Sequence, residues 1–337
     1  MRYTLTTLAL LMAGAANAAP LSVATDIPPV HSLVSMVMGG RGEAVLLMDQ
    51  GADAHDFQLR PSQARNIANA DSVIWMGPEL TIWLDDALDS LRTEGASMAL
   101  LDVEGTVHRT YDDDHDGLLH DDEDPEDAHH DDHGHDADHH DHDAEHADHD
   151  DHEDEAHDDH EGHDHSGDDP HAWLDPANAN TWVSAIAQHL TDLDPEGAEI
   201  YAQNALRASI TLENLISQTQ EVLEPVHETP IVVFHDAYGH FAGRFDVHIA
   251  GSIALGDAAA PGAAHLSELR HHIEEEGAKC IFAEPQHNAA LAEQIADELD
   301  LSIGTLDPMG SELALGADLY PALISQMATA IATCQEG

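Results

Sequence analysis

Basic residues are scarce in this chain of 337 residues: 10 Lys and Arg stand against 67 Asp and Glu, a formal charge of −57 at neutral pH. So acidic a protein repels nucleic acid and anionic membrane surfaces and draws in cations. Long apolar runs are missing beyond the N-terminus. No later stretch approaches the roughly 18 uncharged apolar residues that a membrane-spanning helix needs. Cysteine is nearly absent, with Cys280 and Cys334 alone. If the chain is exported, thiols mature under oxidising conditions, so one disulfide between them is the default and two separate buried thiols the alternative. Such a bond closes a loop of about 54 residues, worth roughly 4 kcal/mol in the chain-entropy model.

Export is what the first residues suggest. Residues 1–18, MRYTLTTLALLMAGAANA, give a basic start at Arg2, a short apolar run and an Ala16-Asn17-Ala18 cleavage site, the pattern of a removable signal peptide. No cysteine near that site would take a lipid. A soluble exported chain without an anchor points to a bacterial periplasm.

What is abundant is histidine and carboxylate in one place. From Asp112 to Asp169 there are 29 acidic residues and 16 histidines without a single Lys or Arg. Leu118 and Leu119 are the large aliphatic residues of that stretch. It has too little apolar surface to offset its ordering entropy, so 112–169 is expected as a disordered insertion. A chain that must be ordered around each ion binds weakly, so its sites should exchange readily. Its negative charge concentrates cations and stabilises imidazolium, so its metal binding should fade on mild acidification. Buffering or capture is the natural role.

The flanks carry the fold. Runs such as LSVATD, AVLLMD and SVIWMG alternate with helical stretches around 31–38 and 61–70, the rhythm of a parallel sheet covered by helices. The same rhythm returns in PIVVFHD, CIFAEP and SIGTLDP, separated by helices at 265–276 and 289–299 and followed by one at 320–333. The expected architecture is α/β: an N-terminal lobe at 19–190 holding the insertion, a long linking helix at 194–224, and a C-terminal lobe at 228–337. Asp194 and Pro195 supply a cap and first position for the linking helix. Ligands of open α/β sheets sit past the carboxyl ends of strands. That rule selects His235, Glu284 and Asp307, and on the first lobe the loop with His55 and Asp56.

No local motif unites these residues, because the separations are too long. A family resemblance does. The stretches GADAHDFQLRPS, DSVIWMGPEL, DDPHAWLDP, FHDAYGHF, CIFAEPQ and GTLDPMG, in this order, closely resemble the zinc-binding subunits of bacterial high-affinity ABC importers, a group of metal-binding solute-binding proteins. The likeness covers nearly the whole mature chain, and an acidic histidine-rich insertion ahead of DDPHAWLDP is typical of the group. It implies two (βα) lobes joined by one long helix, with Zn2+ held in the cleft between them by His55, His171 and His235. Some members add a Glu just before the first histidine; here that position is Ala54. The resemblance leaves water, or Asp307 as a nearby or weak fourth ligand.

Three neutral imidazoles and an open position suit zinc. Related manganese and iron binders place two carboxylates beside two histidines, so a histidine at 235 argues for zinc. Asp56, Asp236 and Glu284 are candidate acceptors for the outer ring nitrogens. The implied partners are zinc ions, the cognate permease in the inner membrane and a periplasmic zinc chaperone, with the binding protein itself a monomer. A zinc hydrolase is the competing class. It is disfavoured because His152-Glu153 is followed by His157, one residue too far for HExxH, and no G-x-S-x-G occurs. A free-standing zinc buffer would need only the tract and no two-lobed body.

Overall fold

The computed structural model describes residues 20–91, 96–111, 167–254 and 261–336. The leader read at 1–18 and the insertion from 112 to 166 lie outside the described residues.

The first lobe runs β1 (Leu21–Thr25), α1 (Pro28–Met38), β2 (Gly42–Leu46), α2 (Pro61–Asn69), β3 (Ser72–Trp75), α3 (Ile82–Leu91) and β4 (Ala96–Ala99). Its strands are all parallel, in the order β2-β1-β3-β4. Then come α4 (Pro176–Leu193) and α5 (Ala198–Leu223). The second lobe runs β5 (Ile231–His235), α6 (Gly239–Phe245), β6 (Ile249–Ala254), α7 (Ala263–Glu276), β7 (Cys280–Ala283), α8 (Ala290–Leu299), β8 (Ser302–Thr305) and α9 (Leu319–Glu336). Its sheet repeats the pattern as β6-β5-β7-β8, again parallel.

Strands buried on both faces read as continuous apolar runs, and the side chains show which way each face looks. Val23 and Ile74 turn into a large inner core, whereas Ala24 and Val73 turn outward onto α2 and α3 through Ile67 and Leu84. In the second sheet Val233 and Phe282 face the inner core, while Val232 and Ile281 meet α7 and α8 through Leu269 and Ile295. Each sheet reverses its strand order beside its first strand, and there the carboxyl ends open a crevice.

The long helix α5 joins the lobes. Its buried residues, Tyr201, Asn204, Ala205, Ala208, Leu212, Leu215, Thr219 and Leu223, recur every three or four positions, so one stripe stays covered along about 39 Å of helix. That stripe lies against α1, α4 and α9. The inner core therefore runs unbroken from Val23 and Trp182 through Leu212 to Val233 and Ile324. Polar stitches reinforce it. Tyr320 donates its hydroxyl to the Trp173 carbonyl at 2.6 Å, Trp173 donates Nε1–H to the Pro308 carbonyl at 2.8 Å, and Arg244 forms two bonds of 2.7 Å to Asp175. The disulfide Cys280–Cys334 is present and ties β7 to α9 across 54 residues of chain.

Several elements depart from the sequence reading. Residues Pro195–Gly197 form a 3-10 turn before α5, and Asp194 makes no side-chain cap. Its carboxylate instead takes Arg41 Nε at 2.5 Å and the Tyr201 hydroxyl at 2.8 Å, because a charged donor outbids a backbone amide. The elements α3, β4, α6 and β6 were not anticipated. Strands β4 and β6 are made largely of Ala, Ser and Gly, so their hydrophobic signal is weak, and α6 begins on a glycine and lasts seven residues.

Asp26, just past β1, is fully buried. It accepts from the backbone N–H of Ile27 and of Met76, each at 2.8 Å, and from the Thr81 hydroxyl at 3.4 Å. It thus ties the ends of β1 and β3 to the start of α1. Burial pushes its carboxyl from 3.8 up to about 6, with those bonds pulling back only in part. The folded state keeps a proton that the unfolded state gives up first. Stability from this group is complete below about pH 4 and lost as pH rises through about 6, a change of roughly 3 kcal/mol. Asp26→Asn should therefore lower the unfolding free energy at pH 4 relative to that at pH 7 by about 2 kcal/mol in urea titrations. An unaltered difference would show that this carboxyl ionises freely.

Candidate metal centre

Three histidines from distant parts of the chain converge between the lobes. His55 sits on the loop after β2, which the sequence pins at several points. His55 N–H donates to Asp53 Oδ1 at 2.9 Å, Trp83 Nε1–H donates to the Ala54 carbonyl at 2.9 Å, and Gln63 donates to the Leu47 carbonyl at 2.7 Å. His171 follows Pro170 and enters a short 3-10 turn, Ala172–Leu174. His235 is the last residue of β5. His171 and His235 are buried, and His55 is half-buried.

His55 Nε2 and His171 Nε2 lie 3.2 Å apart, and the three histidines each offer a ring nitrogen within 4.8 Å of the others. Two nitrogens bound to one zinc at 2.0–2.1 Å across a tetrahedral angle stand about 3.3 Å apart. The observed pair is already at that spacing. The ring centroids of His171 lie 5.3 Å from those of His55 and of His235. The cavity among them measures about 20 Å3 and is walled by Ala54, Trp173, Pro308 and Met309 as well, room for one small body.

Two of the imidazoles are oriented by buried carboxylates. His171 Nδ1 pairs with Asp169 Oδ1 at 2.7 Å, and the same oxygen accepts the His171 backbone N–H at 2.9 Å. His235 Nδ1 pairs with Glu284 Oε1 at 2.8 Å, which also accepts the Tyr238 hydroxyl at 3.0 Å. A proton held on each Nδ1 leaves Nε2 with a lone pair facing the cavity, the form a metal requires. Burial pushes Asp169 up to about 7, opposed first by His240. Burial also raises Tyr238 well above the ordinary phenol, with Glu284 adding to it.

Of the acceptors expected from sequence, Glu284 takes this role. Asp56 is exposed and Asp236 half-buried, and the carboxylate behind His171 is Asp169. That residue was counted into the acidic insertion, yet Asp169 is buried and Asp168 bridges to Thr110. Its signal, an aspartate two places before His171, was hidden among 29 acids. Asp307 is not brought to the cluster. Its Oδ1 accepts from Gln286 at 2.9 Å and Met309 N–H at 3.1 Å, and its Oδ2 accepts from Ser311 N–H at 2.6 Å and the Ser311 hydroxyl at 2.7 Å. Those bonds occupy both carboxylate oxygens. Ala54 is buried and offers no fourth donor. Sequence reasoning missed His287, which lines the cavity and lies just past the CIFAEPQ stretch.

Comparison with known proteins agrees on one family. Residues 23–334 match the family model described as "ZnuA: Zinc-uptake complex component A periplasmic". The chain is 46% identical over 313 residues to the high-affinity zinc uptake system protein ZnuA of Paracoccus denitrificans, covering 93% of this chain and 91% of that protein. Against the protein of the same name from Brucella abortus it is 40% identical over 312 residues, with the same coverage. Among solved structures, a zinc-bound ZnuA deletion mutant superposes with a TM-score of 0.70 at 18% identity, covering 94% of this chain and 98% of that one. The Mn2+ complex of FpvC from Pseudomonas aeruginosa gives 0.71 at 18% identity, covering 94% and 99%. One fold thus serves both metals, so the fold does not choose the ion. The donor atoms must.

Proposed function

This chain belongs to the ZnuA family of periplasmic zinc-uptake components, and on that premise we propose that His55, His171 and His235 capture Zn2+ and that the protein delivers it to the membrane permease of an ABC importer. The family consists of transport binding proteins, not enzymes. No helix among the described residues is long and apolar enough to cross a membrane.

The observation that carries this reading is the pair of Nε2 atoms 3.2 Å apart, with His171 held by a buried carboxylate behind it. Nitrogen donors alone favour zinc over manganese, which prefers oxygen. Copper binds such a set at least as well by intrinsic affinity, so availability sets the occupant. Water takes the fourth position, since Asp307 spends its oxygens on Ser311 and Gln286. The acidic, histidine-rich segment binds further zinc weakly and feeds the cleft. The protein works as a monomer in the periplasm after removal of its leader, with a zinc chaperone as a second partner.

Calorimetric titration of the chain lacking 112–166 tests the division of labour. One tight zinc should remain per protein while several weak ones disappear. The deletion stops short of Asp169, because that residue supports His171. Disappearance of the tight zinc would assign it to the acidic segment and overturn the proposal.

A further inference from the structure

Beside the three imidazoles lies a second group of donors, all from one short segment of the second lobe. Glu284 is buried, with one oxygen engaged by His235 and Tyr238. Its other oxygen, Oε2, has no hydrogen-bond partner among the described residues. A bare buried carboxylate oxygen is costly unless something cationic meets it. The group facing it is His287, whose Nε2 stands 3.8 Å away, too far for a hydrogen bond. Gln286 Oε1 is likewise without a hydrogen-bond partner, its Nε2 being donated to Asp307. Glu284, Gln286 and His287 all line the cavity that holds the three imidazoles.

The ring of His287 is held in place by stacking on Phe234, with centroids 4.6 Å apart and planes within 9°. Its side chain is 20% exposed, against 2% for His171 and 6% for His235, so His287 stands nearer the solvent than those two imidazoles. His235, Glu284 and His287 each offer a ligand atom within 4.8 Å of the others. His235 therefore belongs to both groups, and its ring centroid is 5.5 Å from that of His287.

We propose that Glu284 Oε2, Gln286 Oε1 and His287 Nε2 form an outer metal position at the mouth of the cleft, through which a divalent cation passes on its way to and from the three imidazoles. The inference rests on the reading of those imidazoles as the inner ligands. Two oxygens and one nitrogen hold zinc less firmly than three imidazoles, so the outer position loads easily and empties inward. It draws on one lobe alone and needs no second lobe to be complete. Its occupancy alternates with that of the inner position, because two divalent ions this close repel strongly.

The test uses the full chain loaded with one equivalent of zinc. His287→Phe keeps a flat ring to stack on Phe234 and removes the ligand; His287→Ala removes both. Zinc uptake, and the slowest phase of zinc transfer to 4-(2-pyridylazo)resorcinol, are followed by stopped flow, and affinity by competition at equilibrium. In both variants uptake and release should slow together by about tenfold, the loss of one favourable contact on the path, while the dissociation constant stays near that of the parent. Unchanged rates would overturn the outer position. Slowing in His287→Ala alone would assign the effect to stacking and overturn it too. Weaker affinity with faster release would make His287 a resident fourth ligand, a third result against the proposal. Failure of the underlying reading looks different: His171→Ala would then keep the tight zinc.

Discussion

His171→Ala lowers zinc affinity by more than about 100-fold, the upper end of what loss of an outer partner alone costs a metal site. His171 is the most deeply buried of the three imidazoles. Its ring is fixed at Nδ1 by Asp169 and its Nε2 already stands 3.2 Å from that of His55. Removal leaves two imidazoles on opposite lobes and a hole that water must fill. Asp169→Asn is the milder companion. It keeps the shape but replaces a charged acceptor with a neutral one, and should weaken binding by about 10- to 100-fold. Competition against a chelator of known affinity measures both. A histidine-free position 171 that still held zinc as tightly as the parent would remove the centre from between the lobes.

Loss of the disulfide has the largest effect on stability. Joining Cys280 to Cys334 closes a loop of 54 residues, so Cys280→Ala with Cys334→Ala should cost about 4 kcal/mol, roughly a thousandfold in the folding equilibrium. Alanine at 280 avoids placing a polar group at a position that is fully buried. Urea midpoints of the parent and the double variant give the number. Zinc binding at room temperature should survive, because β7 remains paired with both β5 and β8. Equal midpoints would mean that the bond constrains nothing the unfolded chain would otherwise explore.

Much of the architecture was legible because strands buried on both faces leave long apolar runs and several intervening helices open on proline, as at Pro28 and Pro61, or close on glycine, as at Gly39 and Gly277. Strands β4 and β6 left no such mark, being built largely of small residues such as Ala96, Ser97 and Gly251. The rule that ligands gather past strand ends picked out His235, Glu284, Asp307 and the loop with His55 on physical grounds. It could not reach His171, which stands 116 residues from His55 and meets it only through the tertiary fold. Family likeness supplied that link. Rule and likeness alike pointed to Asp307, whose bonds to Ser311 and to Gln286 of a neighbouring loop depend on a shape that no residue pattern announces. Asp169 was hidden for the opposite reason. One functional carboxylate cannot be singled out by composition inside a tract made of carboxylates.

The unbroken apolar seam beneath the cleft sets how cargo can leave. Swinging the halves apart would strip water-shy side chains such as Leu212 and Ile324 and tear the Tyr320 and Arg244 stitches. Opening of the cleft is thus a matter of slackening one or two loops around a frame that keeps its shape.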